Sequence, residues 1–204
     1  MRFYCVLIAS LICLGSWCGR AQVISEKRSQ ETAKNLSDYD GKWWISADHY
    51  ERTGFFWGAD DCERWDARVP TSYNLPEDAF TEITKYYEAY PDQMALAVVE
   101  VSKKVAAHLP HRKPLKGGEV WNNPHGFLTG FWYQTSAESE RFGFLEGYLG
   151  CLRTYMKGSA ESYPKPIHYY DDKIWDYVDS HGADVSQAPV AYTLRRFRDS
   201  PKAN

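Results

Sequence analysis

The chain has 204 residues, with 24 Lys and Arg against 27 Asp and Glu and a formal net charge of −3. Such mild acidity argues against nucleic acid or an anionic membrane as the partner. The length suffices for one ordinary domain or two small ones.

Residues 1–21 have the pattern of a signal peptide. Arg2 supplies a positive start, an apolar run follows from residue 3 to residue 14, and Gly19 and Ala21 place small residues at a cleavage site. The apolar run is shorter than the roughly 20 residues of a membrane span. We expect cleavage near Ala21 and a soluble periplasmic or secreted form. That form carries 22 Lys and Arg against 27 Asp and Glu, a net charge of −5.

Two stretches past the leader are copies of one another. Residues 41–62 and 130–151 align without a gap at a constant offset of 89, and 8 of their 22 positions are identical. The identical pairs are Gly41/Gly130, Trp43/Trp132, Glu51/Glu140, Arg52/Arg141, Gly54/Gly143, Phe55/Phe144, Gly58/Gly147 and Cys62/Cys151. Such a repeat predicts a tandem duplication, and hence two helical units related by pseudo-twofold symmetry.

The repeat also sets the expected domain organisation. We expect a signal peptide at 1–21, an N-terminal arm at 22–40 that is frayed or a marginal helix, helical repeat 1 at 41–110, a crossover linker at 111–129, helical repeat 2 at 130–199 and a disordered tail at 200–204.

Small residues follow a helical spacing in both copies. Gly54, Gly58 and Cys62 fall at i, i+4 and i+8, on one face of a helix. Gly143, Gly147 and Cys151 have the same spacing. Glycine inside a helix costs about 1 kcal/mol relative to alanine, so close packing must offset it. We predict that the two stripes meet each other or that each meets a later helix, with Phe55 and Phe144 buried beside them.

Five cysteines are present, and three of them lie in the leader. Cys18 is a weak candidate for a lipid anchor, because Trp17 precedes it where that processing requires a small residue. Cys62 and Cys151 remain, at equivalent places in the two repeats. In an exported protein they are candidates for one disulfide, and two buried free thiols are the alternative.

Further helices complete each repeat. Ser46 and Thr135 are expected to cap the glycine-bearing helices. After them, two apolar faces predict two helices in repeat 1: Phe80, Ile83, Tyr87 and Tyr90 form the first, and Met94, Val98, Val101 and Val105 the second. Repeat 2 has counterparts at Ile174, Tyr177, Val178 and His181, and at Val190, Leu194 and Phe197. The predicted fold class is all-α.

Catalytic and metal-binding patterns are weak. Glu51 and Arg52, like their copies, are helix neighbours that point about 100° apart, so we interpret one of each pair as a structural partner of the preceding turn. His108 and His111, or the acids around Cys62, lack a recognisable zinc spacing, and solvated side chains explain them better. We expect no cofactor, no metal site and no enzymatic activity.

Aromatic residues are the more suggestive feature, at 16% of the chain. Most should be core, but exposed Trp and Tyr are common anchors of protein interfaces. The candidate binding aromatics are Trp43, Trp44, Trp121, Trp132 and Tyr133.

The order of motifs resembles a known family. A glycine, an aromatic residue and a second glycine share a helix, followed by Leu75 and Pro76, a helix closing at Pro91 and an alanine- and valine-rich helix ending at Pro110. This order is similar to the Rap/Tai family, the small periplasmic immunity proteins that neutralise peptidoglycan amidase toxins of type VI secretion systems. The resemblance covers residues 46–110 and, more loosely, 135–199. It lacks the family's internal cysteines, since Arg52 and the neighbourhood of Ser72 take their places.

The resemblance implies a binding protein. We expect it to inhibit or sequester a partner protein such as a cell-wall amidase. The alternative is an envelope enzyme, or a peptidoglycan- or carbohydrate-binding factor, that uses an aromatic cleft between the repeats.

Overall fold

The computed structural model describes residues 32–68, 77–109, 128–156, 158 and 161–199. These residues are helical with connecting turns, and the predicted all-α class is confirmed. The helices are α1 Gly41–Ser46, α2 His49–Cys62, α3 Glu77–Ala89, α4 Val98–Ala106, α5 Gly130–Thr135, α6 Glu138–Tyr155, α7 Ile167–His181, α8 Ala183–Ser186 and α9 Val190–Leu194. Short 3-10 turns lie at Leu36–Asp38, Pro91–Gln93 and Arg195–Phe197, and a π-helical turn lies at Glu63–Ala67.

The helix starts correct one detail of the sequence prediction. The carboxylate of Asp48 caps α2 by accepting a hydrogen bond from the Glu51 backbone N–H at 2.8 Å. Ser46 instead ends α1 and donates back to the Trp43 carbonyl at 2.9 Å. Thr135 likewise ends α5, and α6 begins after Ala137. The predicted caps were wrong because the Gly-Trp segment before each long helix is itself a helix rather than a turn.

Helices α2 and α6 run parallel through the centre of the molecule and meet at their glycines. A Cβ added at Gly54 would lie less than 3.0 Å from the Glu140 carbonyl oxygen, and one at Gly143 equally close to the Glu51 carbonyl oxygen. The next pair is reciprocal as well: Gly58 faces the Phe144 carbonyl and Gly147 faces the Phe55 carbonyl. We call these four glycines the glycine seam. Of the two packing arrangements considered from sequence, the structure has the one in which the stripes meet each other.

The burial of the neighbouring rings explains how the seam is stabilised. Phe55 and Phe144 have no exposed surface, and both belong to one continuous hydrophobic core. Burying a phenylalanine contributes about 2–3 kcal/mol. That gain offsets the cost of placing glycines inside two helices.

Each repeat ties its first helix to the turn before its last helix by the same two backbone hydrogen bonds. In repeat 1 the Gly41 N–H donates to Met94 O at 3.0 Å and the Val98 N–H to Tyr39 O at 2.7 Å. In repeat 2 Gly130 donates to Ala188 O at 3.0 Å, and Val190 to Leu128 O at 2.9 Å. These contacts set which residues of the outer helices correspond. The pseudo-twofold relation between the complete repeats stays a prediction.

The described part of the N-terminal arm is packed. Ala33, Leu36 and Tyr39 are buried, and the Leu36 N–H donates to Thr154 Oγ1 of α6 at 3.1 Å. The arm that precedes repeat 1 therefore lies on a helix of repeat 2. Three apolar side chains thus anchor residues 32–40, and the helical part of this stretch is the 3-10 turn at Leu36–Asp38.

Several domain boundaries fall outside the described residues. They are the predicted signal peptide, the linker up to residue 127 and the tail at 200–204. Leu128 and Thr129 are described, and both are buried in repeat 2. Among the helices that the structure describes, none has the length and apolar character needed to cross a membrane.

Candidate functional site

A disulfide closes the C-terminal end of the seam. Cys62 and Cys151 are bonded, their Cα atoms lie 6.1 Å apart, and neither side chain is exposed. This confirms the predicted pairing and excludes the alternative of two free thiols. The bond joins residues 89 positions apart, so it fixes the two long helices to one another whatever the segment between the repeats does.

The repeated arginines hold the turns that precede the long helices. Arg52 Nε donates to Trp44 O at 2.8 Å, with its guanidinium 4.8 Å from the centre of the Trp44 ring. Arg141 Nη1 donates to Ser136 O at 3.0 Å. This confirms the predicted hydrogen bond to the preceding turn and gives the repeated arginines a structural role.

Arg141 has a second partner, for which Arg52 has no counterpart among the described residues. Its Nε donates to Asp171 Oδ1 at 2.8 Å, and the Tyr133 hydroxyl donates to the same oxygen at 2.6 Å. Burial raises the pKa of Tyr133 well above its usual value, and the neighbouring carboxylate adds to the shift. Tyr133 therefore keeps its proton and acts as a donor. The three side chains join α5, α6 and α7 in repeat 2.

Two of the predicted binding aromatics are wrong. Trp44 and Tyr133 have no exposed surface, so neither can contact a partner. Trp44 is buried with its Nε1–H donating to Thr84 Oγ1 at 2.9 Å, which satisfies its polar atom inside the core. The sequence could not tell these buried rings from exposed ones. Neighbouring positions on a short helix point in different directions, and the sequence alone does not say which of them faces the core.

The remaining predicted aromatics are half-buried or lie outside the described residues. Trp43 packs against Phe55 at 4.8 Å between ring centres, and Trp132 packs against Phe144 at 5.5 Å. Trp132 also meets Trp57 of repeat 1 edge to face at 5.9 Å. Trp132 therefore packs at the contact between the repeats. Trp121 is not among the described residues.

The acids around Cys62 are more buried than expected. Asp61 is only 7% exposed, and burial together with the nearby Asp60 charge raises the pKa of its carboxyl to about 7. Glu63 is fully buried, and Asp60 forms an ion pair with Arg64. The interpretation of these acids as a solvated helix face was wrong.

Beyond the disulfide, a polar cluster links three parts of the chain. The Tyr148 hydroxyl of α6 donates to Asp66 in the π-helical turn, and Asp66 is ion-paired with Arg195 after α9. Arg68 follows with a positive φ of 51°. The described residues contain no group of three or more His, Cys, Asp or Glu placed to hold a metal ion.

A ring-and-cation stack recurs on the outer face of both repeats, and sequence reasoning did not identify it. In repeat 1, the Tyr86 and Tyr90 rings lie 5.0 Å apart, and Lys104 Nζ lies 5.5 Å from the Tyr86 ring centre. Lys104 also donates to the Tyr86 hydroxyl at 3.2 Å. Together these side chains combine an apolar face with a positive charge.

The counterpart in repeat 2 keeps the same chemistry with different residues. The Tyr177 and His181 rings stack at 4.0 Å, and the Arg196 guanidinium lies 4.9 Å from the Tyr177 ring centre. Two rings four residues apart and a base 18 or 19 positions further on are the available sequence signal. That signal has meaning only once the last two helices of a repeat are known to pack together.

Three comparisons with known proteins gave no match: no family model, no curated protein and no solved structure is similar to this chain.

Proposed function

We propose that this chain is an exported binding protein that inhibits or sequesters a partner protein such as a cell-wall amidase. The observation that carries the proposal is the ring-and-cation stack on the outer face of each repeat. Tyrosine, aromatic and arginine side chains are enriched at the energetic centres of protein interfaces. The proposed mode of action is binding rather than catalysis, in the periplasm or outside the cell.

The exposure of several aromatic side chains, in the stack and outside it, supports the proposal. Phe131 is 60% exposed, Tyr192 57% and Tyr90 49%, although the chain has a large core in which to bury such rings. Single exposed apolar residues are ordinary on protein surfaces. Only those that lie beside a cation or a groove therefore support a binding site. Tyr90 meets that condition.

The rigidity of the centre also suits a binding role. The glycine seam and the buried disulfide hold the two long helices in one arrangement, and the outer helices pack on them. A surface that is already ordered before association loses less conformational entropy when it binds. The resemblance of the glycine-aromatic-glycine helices to the Rap/Tai immunity family supports the choice of an amidase as partner.

The direct test uses the mature, oxidised chain and the product of any secreted amidase gene encoded beside it. Titration calorimetry should give a saturable complex, and turbidity of a peptidoglycan suspension should fall more slowly as the chain is added. The matched control is an unrelated muralytic enzyme, whose activity should not change. If the amidase neither binds nor slows, the proposal is wrong.

A second candidate is a wall-binding factor, and the Tyr86 and Tyr90 pair is the observation that favours it. Aromatic faces flanked by polar groups can stack on sugar rings. Sedimentation with purified peptidoglycan separates the two candidates. A chain that pellets with the polymer and retains no protein partner would favour wall binding.

A further inference from the structure

The two repeats complete the same helix junction in different ways. The matched hydrogen bonds of Val98 and Val190 make these residues counterparts, and counting on from them pairs Val105 with Phe197 and Lys104 with Arg196. The cation of the stack is therefore kept, while the apolar residue beside it changes from phenylalanine to valine.

In repeat 2 the junction is filled by the chain itself. Phe197 is half-buried against the core, and its ring meets Tyr177 edge to face at 6.0 Å. An aromatic side chain thus packs on the tyrosine, next to Arg196 of the same stack.

In repeat 1 the position that corresponds to the Phe197 ring is an open cavity. A cavity of about 280 Å³ lies between α3 and α4. Its lining residues are Glu82, Lys85, Tyr86, Ala89, Tyr90, Val105, His108 and Leu109. We call this cavity the Tyr86 groove. Pockets for drug-sized ligands begin near 300 Å³, so this one matches a single large side chain better than an extended ligand.

Charge at the rim restricts the occupant further. Glu82 and Lys85 are ion-paired with each other at 2.7 Å. Lys104 instead reaches the Tyr86 hydroxyl, and the last turn of α4 carries both Lys103 and Lys104. Lys104, whose Nζ lies 5.5 Å from the Tyr86 ring centre, is thus a cation beside the groove that an incoming carboxylate can meet.

We propose that the Tyr86 groove receives an aromatic side chain of the partner protein that has a carboxylate next to it. The partner's ring takes the place that Phe197 fills in repeat 2, and its carboxylate meets Lys104. This inference rests on the proposed function, because it assigns a contact surface for the partner.

The test is an NMR titration of the full mature chain with N-acetyl-L-phenylalanine and with its neutral amide. Both probes should shift the methyl signals of Ala89, Val105 and Leu109. The acid should bind about two- to fivefold more tightly than the amide, as expected for one exposed ion pair. Lys104→Gln should abolish that difference.

Steric blocking provides the matched control. Ala89 is exposed at the end of α3, and Ala89→Trp should fill the groove and abolish the shifts without changing the core. Ser180 occupies the corresponding exposed position of α7. Ser180→Trp should therefore bind both probes as the wild-type chain does.

Three results would overturn the inference. They are equal affinity for the acid and the amide, probe shifts that survive Ala89→Trp, and occupation of the groove by chitotriose in place of the amino-acid probes. The amidase assay separates this inference from the proposed function. An amidase that binds Ala89→Trp as tightly as the wild type contradicts the groove alone, whereas one that binds neither contradicts the function.

Discussion

At the seam, Gly54 and Gly58 of α2 face backbone carbonyls of α6, and Gly143 and Gly147 return the same contacts. At the outer junctions the repeats differ, with a groove beside Tyr86 in one and Phe197 packed on Tyr177 in the other. The seam leaves no space for a methyl group, so both copies need the same residue. The outer faces have no such close backbone contact, and there the two repeats carry different side chains.

The largest expected effect comes from adding a side chain at the seam. Gly58→Leu should destabilise the chain by about 5 kcal/mol or more, because its Cβ would clash with the Phe144 backbone carbonyl, which cannot rotate away. Chemical denaturation measures this change. The control is Gly158, where an added Cβ would meet nothing within 4 Å. Unchanged stability in Gly58→Leu would refute the close approach of the helices.

Removing the disulfide should have the next largest effect. Replacing Cys62 and Cys151 with serine should cost about 4 kcal/mol, since a crosslink across 89 residues restricts the unfolded chain. Denaturation midpoints of the two proteins give the difference. An intact mass that does not rise by about two hydrogens on reduction of the unfolded wild type would contradict the bond itself.

The hydrogen-bonded network of Tyr133, Arg141 and Asp171 is a difference between repeat 2 and repeat 1. Asp171→Asn should cost about 3 kcal/mol, because it leaves the half-buried Arg141 guanidinium without its carboxylate. Thermal unfolding measures the loss. Phe80 aligns with Asp171 when Tyr86 is paired with Tyr177. A phenylalanine offers no carboxylate there, so Arg52→Met should cost clearly less than Arg141→Met. Equal losses would mean that the two arginines act only on their turns.

The smallest effect is a dependence on pH at Asp61. Its carboxyl has a pKa raised from 3.8 to about 7 in the folded state, so the folded chain binds the proton more tightly than the unfolded chain. The contribution is therefore full below pH 4 and is lost as the pH rises through 7. Of a total of about 4 kcal/mol, roughly 2 to 3 kcal/mol falls between pH 5 and pH 8. Asp61→Asn should flatten this slope in denaturation curves at pH 5 and pH 8. A wild-type chain that gains stability over that interval, with the slope unchanged in the variant, would contradict the assignment.

The sequence predicted the parts of the fold that depend on spacing within a helix. Gly54, Gly58 and Cys62 share a face wherever that segment is helical, and their exact repetition indicated that the faces meet and the cysteines pair. It failed where local chemistry was ambiguous. Ser46 resembles a cap, yet it ends a short helix, and Asp61 resembles a solvated acid, yet it is buried.

The ring-and-cation stack and the Tyr86 groove could not be predicted from the sequence, for a different reason. Lys104 lies 18 residues from Tyr86, and only the packing of α4 on α3 brings them together. The Tyr86 groove depends on comparing the two repeats after folding, since Val105 and Phe197 correspond through backbone hydrogen bonds rather than through similarity of sequence.

A double-mutant cycle on Gly54→Ala and Gly143→Ala tests the shared seam most directly. If the two glycines lie at one contact, the first methyl separates the helices and the second then costs less. The double variant should lose at least about 1 kcal/mol less than the sum of the single variants. Losses that add to within about 0.5 kcal/mol would show that the glycines do not face the same contact, and would contradict the parallel packing of α2 against α6.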